Sequence, residues 1–209
     1  CQSLCPLGLD ARAFLGHAAE GRWSDARKQL ERYLPLPGLL ARICDHPCEQ
    51  GCLRGDLGGA VNLHGLEIFC TEHLGVQTRS LPMPRKQKRI AVIGAGLAGL
   101  VCAWDLAGKG YPVTVFHEGE PQAQLLSCWP VLAGAGAAAL DAEWEALGRR
   151  GVRFEQARTD AACLQQAAGE YDGVLLDAGA LPELAPAESG MDAQILHWRD
   201  NICCAGWAS

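Results

Sequence analysis

The sequence predicts a helical N-terminal domain followed by an α/β domain built on a parallel sheet. Three observations carry this prediction: six cysteines lie in the first 70 residues, prolines and basic residues interrupt the pattern at 81–88, and an apolar segment then runs into a glycine-rich turn. Residues 1–88 carry 11 basic and 9 acidic side chains, whereas residues 89–209 carry 7 and 15. We therefore expect a first domain over 1–80, a linker over 81–88 and a second domain over 89–209.

The composition is that of a packed protein. Hydrophobic residues make up 49% of the chain and charged residues 20%. The net charge of -6 argues against nucleic acid as a partner, because nucleic-acid binding needs a basic surface. The most apolar stretch, residues 90–104, is short for a membrane-spanning helix and is better interpreted as a buried strand and helix.

The first domain is predicted to contain helices joined by cysteine loops. Ser24 is a candidate N-cap for a helix over Asp25–Tyr33, which must end before Pro35. A second helix is predicted over Val61–His73, with its apolar residues at helical spacing.

The cysteines of this domain indicate metal binding. Eleven cysteines are too many for packing alone, and Cys44, Cys48 and Cys52 follow one another at intervals of four in a loop with Pro and Gly. With the Cys-Pro pair at Cys5, this spacing favours iron-sulfur ligation by reduced thiolates, as expected in the cytoplasm. A zinc site, free core thiols and a secreted disulfide scaffold remain alternatives. His46, His64 and His73 are interpreted as surface residues or neighbours of the ligands.

The second domain opens with the signature of a Rossmann-like fold. A strand over residues 89–93 leads into Gly94-x-Gly96-x-x-Gly99, a helix follows to Lys109, and residues 111–116 form the next strand. Gly94 permits a tight turn, Gly96 allows a pyrophosphate to approach, and Gly99 allows close packing of helix on strand. The N-terminus of the helix attracts the anion.

The cysteine segments of the first domain resemble those of a known family. Residues 1–6, 41–54 and 61–69 look like the helical iron-sulfur domain of the glutamate synthase small (beta) subunit, and the N-terminal domain of dihydropyrimidine dehydrogenase is similar. The resemblance covers most of residues 1–180 and implies a helical iron-sulfur domain followed by a reduced FAD-type Rossmann domain.

The resemblance implies two 4Fe-4S clusters with crossed ligands. Cys5, Cys44 and Cys48 would hold the first, with Glu67 near the place where the family offers a non-cysteine group. The second would take Cys1 and Cys52 together with two cysteines that precede Cys1 in the family. For these two we consider three explanations: the segment was lost from the chain, a partner supplies the ligands, or only one cluster is built.

The same resemblance implies FAD in the second domain. The pyrophosphate would be held by the glycine-rich turn, residues Gly94, Gly96, Leu97, Ala98 and Gly99, and Glu118 would replace the family's ribose-binding Glu, whose position is taken by His117. The chain departs from the family at three further places: residues 121–124 lack the paired glycines, Asp177 alters an Ala-Thr-Gly turn, and Trp207 replaces an Asp. FAD binding and a decayed nucleotide site both remain open.

The family's NADPH-binding domain has no counterpart here. Residues 181–194 are too few for a βαβ unit of roughly 30 residues. Three hypotheses follow: an electron-transfer subunit of a larger redox complex, a self-contained small FAD/iron-sulfur oxidoreductase, and a structural adaptor without redox turnover. We favour the first, an oxidoreductase component in a hetero-oligomer with a larger redox-enzyme subunit or an electron carrier, and we assign no catalytic residue.

Overall fold

The computed structural model of the chain describes residues 2–75, 83–135, 137–178, 195–199 and 201–205. It divides into two compact units, here called the helical unit and the sheet unit: Cys1–Arg79 with Gly134–Glu143, and Ser80–Ala133 with Trp144–Ser209. Helices come first and a parallel sheet follows, which confirms the predicted fold class. The linker and domain bounds drawn at 81–88 stay a prediction, and residues 81 and 82 lie outside the described residues.

Among the described residues, the helical unit contains five complete α-helices, the start of a further helix over residues 137–143, and two short 3-10 turns. In chain order the helices are α1 (Ala11–Ala19), α2 (Trp23–Tyr33), α3 (Pro37–Ile43), α4 (Pro47–Gln50) and α5 (Leu63–His73), and the turns are Gln2–Leu4 and Gly55–Leu57. Their core is formed by buried apolar side chains on α1, α2 and α5, among them Phe14, Leu30, Leu63 and Cys70.

Two predicted helix starts are wrong. The helix α2 begins at Trp23 with Arg22 as its capping residue, so Ser24 lies inside the first turn and is not the N-cap. The helix α5 begins two residues after the predicted Val61, because the Asn62 side chain accepts a hydrogen bond from the Gly65 N–H and caps the helix there. The predicted ends at Tyr33 and His73 are confirmed.

The helical unit also buries charged side chains. Arg27 and Glu31 form an ion pair of 2.8 Å on α2, with both side chains almost completely buried. The Glu143 carboxylate accepts a hydrogen bond from the Gly38 N–H and is 6% exposed. Desolvation raises the pKa of Glu143 in spite of the Gly38 N–H and the positive charge of Arg27, which lower it.

This buried carboxyl predicts a pH-dependent contribution to stability. Its pKa is raised in the folded state, so its protonated form favours folding and that advantage is lost as pH rises above the ordinary Glu value. Glu143→Gln imitates the protonated form and keeps an acceptor for Gly38. Relative to wild type, the free energy of unfolding of the variant should rise as pH increases from 4.5 to 7.5, which urea denaturation at each pH measures.

The matched control for this experiment is Glu145→Gln on the same stretch of sequence. The Glu145 side chain is 71% exposed and forms an ion pair with Arg149 one turn away. It should show no such gain, and an equal gain in both variants would contradict the role given to Glu143.

The sheet unit is built on six strands in the order β3-β2-β1-β4-β6-β5. The strands are β1 (Ile90–Ile93), β2 (Val113–His117), β3 (Arg153–Gln156), β4 (Gly173–Asp177), β5 (Ile195–Arg199) and β6 (Ile202–Ala205). Five of them run parallel, and β5 pairs antiparallel with β6. Helices α6 (Leu97–Gly108) and α7 (Pro121–Cys128), helix α8 (Ala137–Arg149) and helix α9 (Ala161–Glu170) occur in the connections.

The centre of the sheet places the glycine-rich turn. Strand β1 lies between β2 and β4, with Ile93 opposite Phe116 on one side and Leu176 on the other. The side chains of Ala91, Val92 and Ile93 are fully buried, as expected for a strand covered on both faces. The carboxyl ends of β1 and β4 therefore meet where α6 begins.

Candidate iron-sulfur centre and glycine-rich turn

Three cysteines and one carboxylate of the helical unit lie within electrostatic reach of one another. Cys44 follows the last residue of α3, Cys48 lies on α4, Cys5 follows the first 3-10 turn, and Glu67 lies on α5. The thiols of Cys44 and Cys48 each interact with Cys5 and with Glu67. These interactions involve the four residues that the family resemblance assigns to the first cluster, and their assignment as ligands stays a prediction.

The loop between Cys44 and Cys48 has a defined backbone. Cys44 N–H donates to the Leu40 carbonyl at the end of α3, and Pro47 starts α4. His46 adopts the left-handed conformation, with φ of 56°. This places its N–H 3.4 Å from the Cys44 sulfur, to which it donates a hydrogen bond. Hydrogen bonds to ligand sulfurs are one of the ways in which proteins set the potential of a cluster.

Two histidines tie this loop to α5. The His64 and His46 rings are hydrogen-bonded through Nδ1 and Nε2, and their centroids lie 3.8 Å apart. The His64 N–H donates to Glu49 Oε1 over 2.7 Å. Desolvation, followed by the neighbouring His64, lowers the pKa of His46. The contacts place His46 and His64 beside the thiols, and their assignment as non-ligands stays a prediction.

Burial controls the protonation of the candidate ligands. Desolvation, with added repulsion from Glu67, raises the pKa of both the Cys44 and the Cys48 thiol. Desolvation also raises the pKa of Glu67 to about 7, and the nearby Glu49 adds to the shift. A bound cation would reverse these shifts, because metal ligands bind as thiolates and carboxylates and release their protons.

Cys52 has different surroundings from the other three cysteines. Backbone N–H groups of Val61, Arg54 and Gly55 lower the pKa of its thiol. The neighbouring side chains Leu53 and Leu57 are 92% and 79% exposed. Cys1, its predicted companion in a second cluster, lies outside the described residues.

The separation of Cys52 predicts a selective effect. Cys52→Ser should leave the iron held by the other three cysteines in place, because the family resemblance assigns Cys52 to a different cluster and its thiol interacts mainly with the backbone N–H groups of Val61 and Arg54. We expect the iron and sulfide bound per chain to fall by no more than one cluster. Complete loss of iron in a folded Cys52→Ser variant would contradict the division into two groups.

The donor set suits a cluster better than a single ion. Within the described ranges no group of three or more His, Cys, Asp or Glu is close enough to hold one metal ion. A single zinc ion would draw four ligands to within about 2.3 Å of one point. A 4Fe-4S cube separates its thiolates by its own width, so it does not require the ligands to approach one point as closely as a single ion does. Cys5, Cys44 and Cys48 are each half-buried. The cluster would be held by Cys5, Cys44 and Cys48, with Glu67 alongside.

The second site is the glycine-rich turn of the sheet unit. Gly94 has a φ of 101°, a conformation that favours glycine, and its N–H donates to the Phe116 carbonyl. Gly96 is the extended capping residue of α6. A side chain at Gly99 would come within 2.7 Å of the Gly94 carbonyl oxygen and 3.0 Å of Val92. The turn therefore leaves room for backbone contact with a pyrophosphate and none for a side chain inside it.

The other residues that were considered as dinucleotide contacts differ in exposure and in local structure. Glu118 is exposed at the end of β2, whereas His117 is 8% exposed and is hydrogen-bonded through Nδ1 to the Gly119 carbonyl. Pro121 starts helix α7, so residues 121–124 form no glycine turn. Trp207 lies outside the part of the chain that the structure describes.

Asp177 adds a feature that the sequence alone did not assign. It is the last residue of β4, it is 1% exposed, and its Oδ2 accepts a hydrogen bond of 2.7 Å from the Gly99 N–H. Its departure from the family pattern was visible in the sequence. Its contact with α6 depends on the pairing of β1 with β4, and this pairing cannot be predicted from the sequence pattern.

Comparison with protein families gives two matches along the chain. Residues 1–78 match the family described as dihydropyrimidine dehydrogenase domain II, 4Fe-4S cluster. Residues 89–169 match the family described as glucose inhibited division protein A. The first match confirms the predicted iron-sulfur cofactor, and together they confirm the resemblance over both halves. For the second half they support FAD as the candidate cofactor.

Several curated relatives are redox subunits. The chain is 34% identical over 120 residues to the NADPH-Fe(3+) oxidoreductase subunit beta of Geobacter sulfurreducens. It is 32% identical over 142 residues to the NADP(+)-dependent formate dehydrogenase subunit beta of Moorella thermoacetica and 31% identical over 121 residues to the glutamate synthase [NADPH] small chain of Mycobacterium tuberculosis. Each alignment covers 56% of this chain but only 18%, 20% and 25% of these relatives.

The helices were also compared with the dimensions of a lipid bilayer. Among the described residues, every helix is too short or too polar to span a membrane.

Proposed function

We propose that this chain, which carries a dihydropyrimidine dehydrogenase-type 4Fe-4S domain over residues 1–78 and is related to beta and small subunits of redox enzymes, is an electron-transfer component of a larger redox complex. The observation that supports this most is that Cys5 and Cys48 pack against the same core of the helical unit, with Cys44 in the same loop as Cys48 and hydrogen-bonded through its sulfur to the His46 N–H. When bound, a 4Fe-4S cluster accepts and returns single electrons.

The residues around these thiols have separate tasks in this proposal. Cys5, Cys44 and Cys48 supply the thiolates, and Glu67 supplies a carboxylate from α5. The His46 N–H contributes to the potential through its hydrogen bond to the Cys44 sulfur. The bond between His46 and His64 keeps the loop in the left-handed conformation that this contact requires.

The sheet unit is proposed to offer the site for FAD. Gly94, Gly96, Leu97, Ala98 and Gly99 would hold the pyrophosphate through backbone N–H groups, and Glu118 would hold the ribose. FAD would exchange electrons with the iron-sulfur half.

Partner and location follow from the same reasoning. The three relatives named above are called subunits or chains of enzymes, so we propose a hetero-oligomer with a larger redox subunit or an electron carrier. Thiolates that hold iron need a reducing compartment, which favours the cytoplasm. The net charge of -6 argues against nucleic acid as a partner.

The experiment is an anaerobic spectrum of the native isolate with iron, sulfide and flavin quantified. We expect iron and sulfide in the ratio of a 4Fe-4S cluster, bleaching of the visible absorbance by dithionite, and its recovery on adding a one-electron dye. The mass in solution should exceed that of one chain. Absence of iron would overturn the proposal, and bound iron without reversible bleaching would identify a structural adaptor.

A further inference from the structure

We propose that Asp177 determines the specificity of the glycine-rich turn: its carboxylate takes the place of a bound anion at the N-terminus of α6 and weakens the binding of pyrophosphate-containing dinucleotides. The proposal rests on the turn being the nucleotide site named above. It deepens that assignment, because it states which ligands the turn disfavours.

The position of Asp177 follows from the sheet register. Strands β1 and β4 are parallel neighbours, and Ile93 lies opposite Leu176. The next residue on each strand is Gly94 and Asp177, so the acidic side chain emerges at the level where the glycine turn begins. Both the carboxylate and the Gly99 N–H that it accepts from are buried.

The contact uses a group that an anion would otherwise attract. Gly99 is the third residue of α6, so its N–H is one of the four donors that a helix leaves without a partner at its N-terminus. These donors and the helix dipole together make the anion site of dinucleotide folds. A carboxylate placed there satisfies one donor, offsets the dipole and repels a second negative charge.

A neighbouring thiol reports the same negative potential. Cys102 lies one turn further along α6. Desolvation raises the pKa of Cys102 to about 11, and the charge of Asp177 is the largest electrostatic contributor to that shift. The Asp177 carboxylate therefore lies close enough to the first turns of α6 to act on a group within them.

The packing leaves the carboxylate little freedom. An added side chain at Gly99 would lie 2.9 Å from Asp177 Oδ2, so helix and strand are in close contact at this point. Since the carboxylate is hydrogen-bonded to the first turn of α6, a dinucleotide held by this turn would bind beside the charge. The charge of Asp177 should thus lower the affinity for ligands that contain phosphate. It should not change the affinity for ligands that contain the ring system alone.

The test compares FAD with riboflavin, which carries no phosphate, by fluorescence titration of the full chain. In wild type we expect the pyrophosphate to add little affinity, so that FAD binds less than about tenfold more tightly than riboflavin. In Asp177→Asn, which keeps an acceptor for Gly99 and removes the charge, FAD should bind at least about tenfold more tightly than in wild type, with riboflavin unchanged. ADP, which contains the same pyrophosphate, should follow FAD.

The controls separate specificity from fold. Asp105→Asn removes an equal charge from the same helix at an exposed site and should change no affinity. A second variant, Asp177→Ser, is measured in the same way if Asp177→Asn does not fold by circular dichroism. Wild type binding FAD at least tenfold more tightly than riboflavin would overturn the proposal, as would a folded Asp177→Asn without a gain for FAD. Cluster absorbance is recorded in the same samples, so failure of the electron-transfer proposal is seen separately.

Discussion

Cys48→Ser is expected to remove the cluster from the helical unit. Cys48 is one of the three thiols that share a common group with Glu67, and a serine hydroxyl is a poor ligand for iron at neutral pH. We expect iron and sulfide per chain to fall by at least one whole cluster, and the visible absorbance of that cluster to disappear. Anaerobic reconstitution followed by iron and sulfide analysis measures this directly.

The control substitutes another cysteine in the same way. Cys128 is exposed at the end of α7 in the sheet unit. Cys128→Ser should keep the full iron content and the full absorbance. If Cys48→Ser retained its iron while remaining folded, the assignment of Cys5, Cys44 and Cys48 to one cluster would be wrong.

Gly99→Ala is expected to give the largest loss of stability. Its added methyl group would lie 2.7 Å from the Gly94 carbonyl oxygen, which belongs to the backbone and cannot rotate away. Contacts with Val92 and Asp177 at 3.0 and 2.9 Å close the remaining directions. We expect a loss of about 3 kcal/mol in the free energy of unfolding, seen as a fall in Tm of about 6–12 °C.

The same substitution at Gly148 is the matched control. Gly148 lies inside α8, and a side chain there would meet no atom within 4 Å. Alanine is the better helix former by about 1 kcal/mol, so Gly148→Ala should be neutral or stabilising. A similar loss in both variants would show that the close contact at Gly99 is not the cause.

Local patterns in the sequence predicted much of this fold. The strand β1, the helix α6 and the strand β2 follow from an apolar run, a glycine motif and a second apolar run, all within 30 residues. The cysteine spacing and the Cys-Pro pair predicted the iron-sulfur cofactor, which the family match confirms. These features are determined by residues close together in the sequence, so local sequence patterns are sufficient to predict them.

The unpredicted features depend on pairing between distant segments. Strand β3 is short and mostly exposed, so it lacks the apolar run that identified β1. The antiparallel pair of β5 and β6 was not predicted because periodicity does not reveal strand order. The contact of Asp177 with Gly99 joins residues 78 positions apart and needs the register of β4 on β1.

The sheet order has a consequence for the synthesis of the chain. The central strand β1 needs β4 as its second neighbour, and about 80 residues lie between Ile93 and Gly173. A ribosome adding about 5–20 residues per second takes roughly 4–16 s to produce them. During that interval one edge of a wholly apolar strand lacks its native neighbour, and such edges are the places where nascent chains aggregate. Yield should therefore depend on the translation rate and on the supply of chaperones.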